Sequence, residues 1–195
     1  MKPARSPLRP LEIGLVSETF DTYPSPEGGP ADAHVEYEPL ATVELLEDAI
    51  GGLGHRSRRL GAPRDVLASS SAGSLAGVDV VWNIAEGYGS RNREAWAPAL
   101  LEMAGIPCLG SDGLSLSLSL DKAWANRWAA AGGVSVAPQV VMASRREAEA
   151  SPLPGPFPLF VKPCWEGTSK GIRRSSRVED RRALAVPVLA VRQGQ

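Results

Sequence analysis

The chain has 195 residues, 43% hydrophobic and 22% charged, and its 21 Lys plus Arg against 22 Asp plus Glu leave a formal charge of −1. That length can bury the core of one large domain or two small ones, and so even a balance gives no electrostatic grip on nucleic acid or an anionic membrane surface. Cys108 and Cys164 are too few for a disulfide framework and sit in no zinc-type spacing, so both read as small buried hydrophobes in a reducing cytoplasm.

The opening "MKPARSPLRP" (1–10) is basic with no apolar stretch behind it and reads as a disordered leader; nothing in the sequence reaches membrane-spanning length, so a cytoplasmic protein is expected. "LEIGLVS" (11–17) is an apolar run of strand type, and the Pro/Gly-rich stretch 22–39 reads as a loop. Leu40, Val43, Leu46, Ala49 and Ile50 recur at helical spacing, and the glycines after them stop that helix. "HRSRRLG" (55–61) is a candidate second strand, and "VDVVWNI" (78–84) is a continuous apolar run suited to a parallel strand covered on both faces. "REAWAPALLEMAG" (93–105) then predicts a helix, and "IPCLGS" (106–111) a short strand.

Strands alternating with helices argue for an open α/β domain with a parallel sheet, whose ligands bind beyond the carboxyl ends of the strands. The loops 85–94 and 110–113 are therefore the ones to watch. Asn83, Glu86 and Gly87 lie at such an end and favour a hydrogen-bonding or cationic ligand. Arg93 and Glu94 read equally as site residues or as a first-turn acid with a solvated neighbour. His34 and His55 have no motif partners.

"LSLSLSL" (114–120) alternates strictly and, taken alone, reads as a half-buried strand, although it runs directly into the helical "DKAWANRWAAAGG". A composition shift near 121 marks a second structural unit. There "SVAPQVVM" (135–142) reads as a strand, 144–158 as a polar loop closing in prolines, "LFVKP" (159–163) as a strand and "GIRRSS" (171–176) as its returning partner. "RVEDRRALAVPVLAVRQ" (177–193) is helix-like, with Pro187 set to kink it, and the basic run 173–182 is a solvated face.

The chemistry concentrates in "PLFVKPCWEGTSKGI" (158–172). A lysine among strand residues needs an anion, because an unpaired buried ammonium costs several kcal/mol or loses its proton. Behind Lys162 come Gly167, Thr168, Ser169 and Gly171, whose backbone N–H groups and hydroxyls suit an anion-binding concavity. This is not a Walker loop, since GxxxxGK[ST] is absent and the lysine precedes the glycines. A strand-end lysine reaching solvent before an ordinary glycine hairpin is the equal alternative. Lys122, just inside a helix that Asp121 caps, opposes the helix dipole and hints at a compensating anion.

Four blocks in order, "VVWNIAEG", "REAWAPALLEMAGIPCLGS", "LDKAWANRWAAAGGVSVAP" and "FPLFVKPCWEGTSKGI", resemble the D-alanine–D-alanine ligases of the ATP-grasp superfamily over residues 79–176. The resemblance implies an N-terminal Rossmann-like, pre-ATP-grasp domain (11–120) on the amino-acid side, then an incomplete ATP-grasp central domain (121–195). It also implies that "LSLSLSL" is a short helix. Lys122 and Lys162 match the family's ATP-contacting lysines, and Glu166, Gly167, Thr168 and Ser169 match the loop over the phosphates; Asn83, Glu86 and Gly87 fall on the substrate side. The implied chemistry is amide formation through an acyl phosphate, with ATP and Mg²⁺ as cofactors and amino acids as small-molecule substrates.

Three departures stand out. The family's glycine-rich start, with its amine-orienting glutamate, is not recognisable in "IGLVSETFDTYPS", and Glu18 and Glu36 are both substitutes in view. Glu86-Gly87 stands where many relatives have histidine-glycine. The chain stops at "AVRQGQ", short of the segments that hold adenine, Mg²⁺ and the transition-state arginine, so catalytic residues stay unassigned and full turnover is not expected. A ligase for another amino acid or peptide and a non-catalytic α/β binding module are the alternatives. An incomplete central unit exposes a sheet edge, which makes poor solubility, a homo-oligomer or a complementing chain the expected consequence.

Overall fold

A computed structural model of the chain describes residues 9–24 and 31–184. The described chain divides into two compact units: one from the segments through Tyr23, Tyr37–Gly87 and Glu94–Gly113, the other from Pro24–Glu36, Tyr88–Arg93 and the chain from Leu114 on.

The first unit is a parallel sheet between helices. Strand β1 (Glu12–Val16) is followed by helix α1 (Leu40–Gly52), strand β2 (Arg56–Gly61), helix α2 (Pro63–Ser71), strand β3 (Val80–Asn83), helix α3 (Trp96–Met103) and strand β4 (Cys108–Leu109). Sheet order is β2-β1-β3-β4, with every pairing parallel. Alternation along β1 explains why both its faces are buried. Ile13 and Leu15 pack with Val43 and Ile50 of α1, while Val16 points the other way, to Val66 of α2 and Leu101 of α3. Val80 and Val81 of β3 divide between the same two cores.

Helix α2 was not read from the sequence. Its start is nevertheless encoded: Pro63 occupies the first turn, and the Asp65 carboxylate accepts the Ala62 N–H at 2.8 Å. Because β1 pairs with β2 on one side and β3 on the other, the chain changes direction between β1 and β3. The crevice beyond their carboxyl ends is where such sheets place ligands.

The second unit contains helices α4 (Gly113–Leu120, its first residue in the first unit), α5 (Lys122–Ala131) and α6 (Arg145–Ala150), and the antiparallel pair β5 (Leu159–Phe160) and β6 (Arg177–Val178). Its core gathers Ala148, Val178 and Leu184, with Met142, Leu153, Phe157, Leu159 and Val161 packed on it.

Several expectations are corrected here. Residues 114–120 form a helix, not a strand, as the family resemblance implied: Leu120 is buried while Leu114 is exposed, so the alternation does not sort onto two faces of a sheet. Residues 135–142 form no strand. Among the described residues no strand pairs with them; Val136, Val140 and Val141 are exposed, and the Gln139 side chain bonds α5 through Asn126 and the Ala123 carbonyl. The polar stretch from 144 contains α6, capped by Ser144, which accepts the Glu147 N–H, while Glu147 accepts from Ala143 N–H. The strand at 159–163 shortens to Leu159 and Phe160, with one further bond from the Val161 N–H to the Ser176 carbonyl at 2.7 Å. Its partner is Arg177–Val178 where 171–176 was expected, since 174–176 form a single 3₁₀ turn. The leader lies largely outside the described residues, as does the helix read over 177–193 beyond residue 184.

Candidate functional site

Beyond the carboxyl ends of β1 and β3, Glu18 is buried, and its carboxylate accepts the Gly87 N–H at 2.6 Å. Gly87 has φ +68°, a left-handed conformation that its missing side chain permits. Tyr37, also buried, donates to the Gly87 carbonyl at 3.4 Å, and its ring meets Tyr23 edge-on at a centroid distance of 5.0 Å. Burial, reinforced by the Glu18 charge, pushes the Tyr37 phenol well above its ordinary value, so it stays a donor. Asn83 closes β3 and accepts the Ala85 N–H at 3.1 Å; Glu86 is half-buried between Ala85 and Gly87. This crevice offers a buried carboxylate, a phenol and a fixed glycine turn. Tyr37 was missed from sequence, where it sat in what read as a plain loop.

In the second unit α5 begins at Asp121, whose carboxylate caps the N–H groups of Ala123 and Trp124. Lys122 follows. Its backbone N–H donates to the Cys164 carbonyl at 3.1 Å, and its ammonium donates to the Glu166 carbonyl. Burial lowers its pKa, and repulsion from Lys162 lowers it further. Lys162 itself is exposed, just past the paired residues of β5, and has no carboxylate partner among the described residues. Of the two readings open for Lys162, a cation paired inside a strand and a strand-end lysine reaching solvent, the structure has the second, and its charge is felt by Lys122.

The loop after Lys162 is tied from below. One Glu36 oxygen accepts the Arg93 guanidinium at 2.7 Å and the Gly167 N–H at 2.5 Å, and the other lies 3.1 Å from the Lys170 ammonium. Glu36 and Arg93 side chains are each only 4% exposed. Arg93 also donates to the Trp165 carbonyl at 2.7 Å, and Lys170 pairs with Glu166 at 2.9 Å. Asp32 accepts from Gly171 N–H at 2.9 Å and from Arg173 at 2.6 Å.

Burial works to raise the Glu36 carboxyl, yet Arg93, the Gly167 N–H and Lys170 outweigh it and hold it below the ordinary carboxylate range. Glu166 goes the other way: burial, helped by its contact with Glu36, outweighs Lys170 and raises it. On the outer side of the loop, Thr168 at φ +43° and Ser169 at φ +61° are successive left-handed residues without the glycine that would make this cheap. Strain of this kind costs on the order of 1–3 kcal/mol per residue and clusters where ligands are held. Both residues are exposed, with their N–H groups bonded to nothing among the described residues.

The structure thus joins Lys122 to the Glu166 carbonyl, places Lys162 where its charge acts on Lys122, and sets Gly167, Thr168 and Ser169 in one strained turn. Arg93, balanced between site and surface in the sequence, is buried. Asp32 and Lys170 were not singled out. The signal available was two acids four residues apart, Asp32 and Glu36, in a loop with no cation of its own.

An open α/β protein with a crevice at the strand ends and a cation-bearing loop is the class these features define. No family profile matches the chain, but individual proteins do. It is 33% identical over 180 residues to a D-alanine–D-alanine ligase of Nocardia farcinica, covering 87% of this chain and 47% of that protein. It is 29% identical over 144 residues to that of Gluconobacter oxydans, covering 74% and 46%, and 34% identical over 135 residues to that of Sinorhizobium fredii, covering 68% and 41%. By sequence the chain belongs to the D-alanine–D-alanine ligase family, and it spans less than half the length of these relatives. Among the described residues no helix is long and apolar enough to cross a membrane.

Proposed function

We propose that this chain carries the amino-acid side and the first nucleotide-gripping elements of an ATP-dependent carboxylate–amine ligase of the D-alanine–D-alanine type, acting in the cytoplasm. Residues 11–120 form the amino-acid side, and 121–195 begin the nucleotide side. The carrying observation is the pair of ammoniums: Lys162 is exposed and lacks a carboxylate, and its charge bears on Lys122. Glu166 and Glu36 offset part of that repulsion at Lys122, but Lys162 has no carboxylate of its own among the described residues, and a polyphosphate would neutralise both ammoniums. Lys122 and Lys162 would meet its charge, and the Thr168 and Ser169 N–H groups would take its oxygens. Gly167 lets the turn form, and Glu166 gives its carbonyl to Lys122.

ATP, when bound, supplies the phosphoryl group that activates a substrate carboxylate for attack by an amine. This chain's own part is to position and neutralise. Asn83, Glu86 and Gly87, with Glu18 beneath Gly87, would orient an amino acid through its amine. Mg²⁺ is a different matter: no group of three His, Cys, Asp or Glu among the described residues could hold a metal ion, so no step through a metal is assigned to them.

Calorimetric titration of the chain with ATP tests the reading. Lys122→Ala and Lys162→Ala should each weaken binding by about tenfold, the loss of one charge-assisted contact. Equal affinity in Lys162→Ala and the parent chain would end the nucleotide reading.

A further inference from the structure

The loop assigned to phosphate already holds an anion, and that anion belongs to the chain. Arg93, the Gly167 N–H and Lys170 converge on the Glu36 carboxylate. The approach depends on residue 167 being glycine, because a Cβ there would sit 2.8 Å from the Glu36 oxygen. These donors are not alike. Arg93 is buried with Glu36, each side chain only 4% exposed, and lies outside the 166–171 loop, so it is the partner Glu36 would keep. Gly167 and Lys170 lie in the strained turn itself, and Lys170 has a flexible stem and a second carboxylate, Glu166, within 2.9 Å.

We propose that Glu36 is an internal anion that satisfies the 166–171 loop in the absence of nucleotide, and that a polyphosphate competes with it for the Gly167 N–H and Lys170. The inference rests on the nucleotide reading above and adds a regulator to that site. The exchange is chemically feasible because Glu36 gives up two donors and keeps Arg93, so no bare carboxylate is left buried. Lys170 then becomes a third cation for the phosphates, one that neither the sequence motifs nor the family resemblance assigns.

The test is titration of the intact chain with ATP and, separately, with inorganic tripolyphosphate. Glu36→Gln keeps the shape and removes the charge, and it should tighten both ligands by about tenfold. Lys170→Gln should weaken both and serves if Glu36→Gln does not fold, as checked by its melting transition. Unchanged or weaker binding in a folded Glu36→Gln, or unchanged binding in Lys170→Gln, overturns the proposal. Lys162→Ala separates the two levels: if it weakens binding while Glu36→Gln does not tighten it, only the competition fails. If neither changes anything, the nucleotide reading fails with it.

Discussion

Arg93 shows how little a single position says before folding. In the sequence it reads equally as a site residue or as the solvated neighbour of a helix-starting glutamate; in the structure it is buried, bonded to Glu36 and to the Trp165 carbonyl. Truncating one partner of such a pair leaves the other charge buried, at a cost of about 3–5 kcal/mol. Arg93→Ala should therefore shift urea unfolding by that amount; a change within experimental scatter would mean Glu36 finds water or another cation instead. The residues that were legible carry their signal locally. Asp121 caps α5 because a short carboxylate before a helix reaches the free N–H groups of the first turn. Lys122, Lys162 and the Glu166–Ser169 turn were legible through colinearity with a family, and whether they hold nucleotide rests with the titrations. Asp32 and Lys170 went unnoticed, and Glu36 was in view only as a stand-in for the family's amine-orienting glutamate. The contacts that tie Asp32 and Glu36 to the 167–173 segment join residues 131 to 141 positions apart, and no local pattern records such a meeting.

At the scale of elements, periodicity succeeded where one element is covered by several others. The strand starting at Glu12 and the helix starting at Leu40 were both visible because their apolar spacing serves a real interior. It failed at 114–120 and 135–142, where apolar residues alternate or cluster yet no strand among the described residues gives them a ladder. It also passed over α2 and α6, which are announced by caps more than by apolar spacing. Turn chemistry between elements is similarly specific. Gly61, the last residue of β2, has φ +77°, and a Cβ there would stand 2.5 Å from the Asp65 oxygen that caps Ala62. Gly61→Ala should destabilise by about 1–3 kcal/mol in thermal or urea unfolding. By contrast Gly51→Ala, in a helix with nothing within 4 Å of the added atom, should stabilise by about 0.5–1 kcal/mol. Equal effects at the two sites would show that backbone conformation is not what separates them.

Across the whole molecule, acid acts on both units through depressed aspartates. In the first unit the Arg9 side chain, then the Glu12 N–H, hold Asp79 down to about 2 from an ordinary 3.8. In the second, Arg173 and the Gly171 N–H overcome partial burial to hold Asp32 lower still. A carboxyl depressed in the folded state lends stability that is complete above its unfolded value and drains as pH falls toward the folded one. The urea midpoint should therefore drop between about pH 5 and pH 2; a flat profile would mean neither pair survives in solution. The sheet's connectivity has its own consequence for biosynthesis. Of the sheet's four strands β1, one of the two inner ones, is synthesised first, and the Asp79 carboxylate that takes the Glu12 N–H lies 67 positions later. Until that length has emerged, a nascent segment with two apolar faces has one flank uncovered, and slow translation would prolong its need for a chaperone.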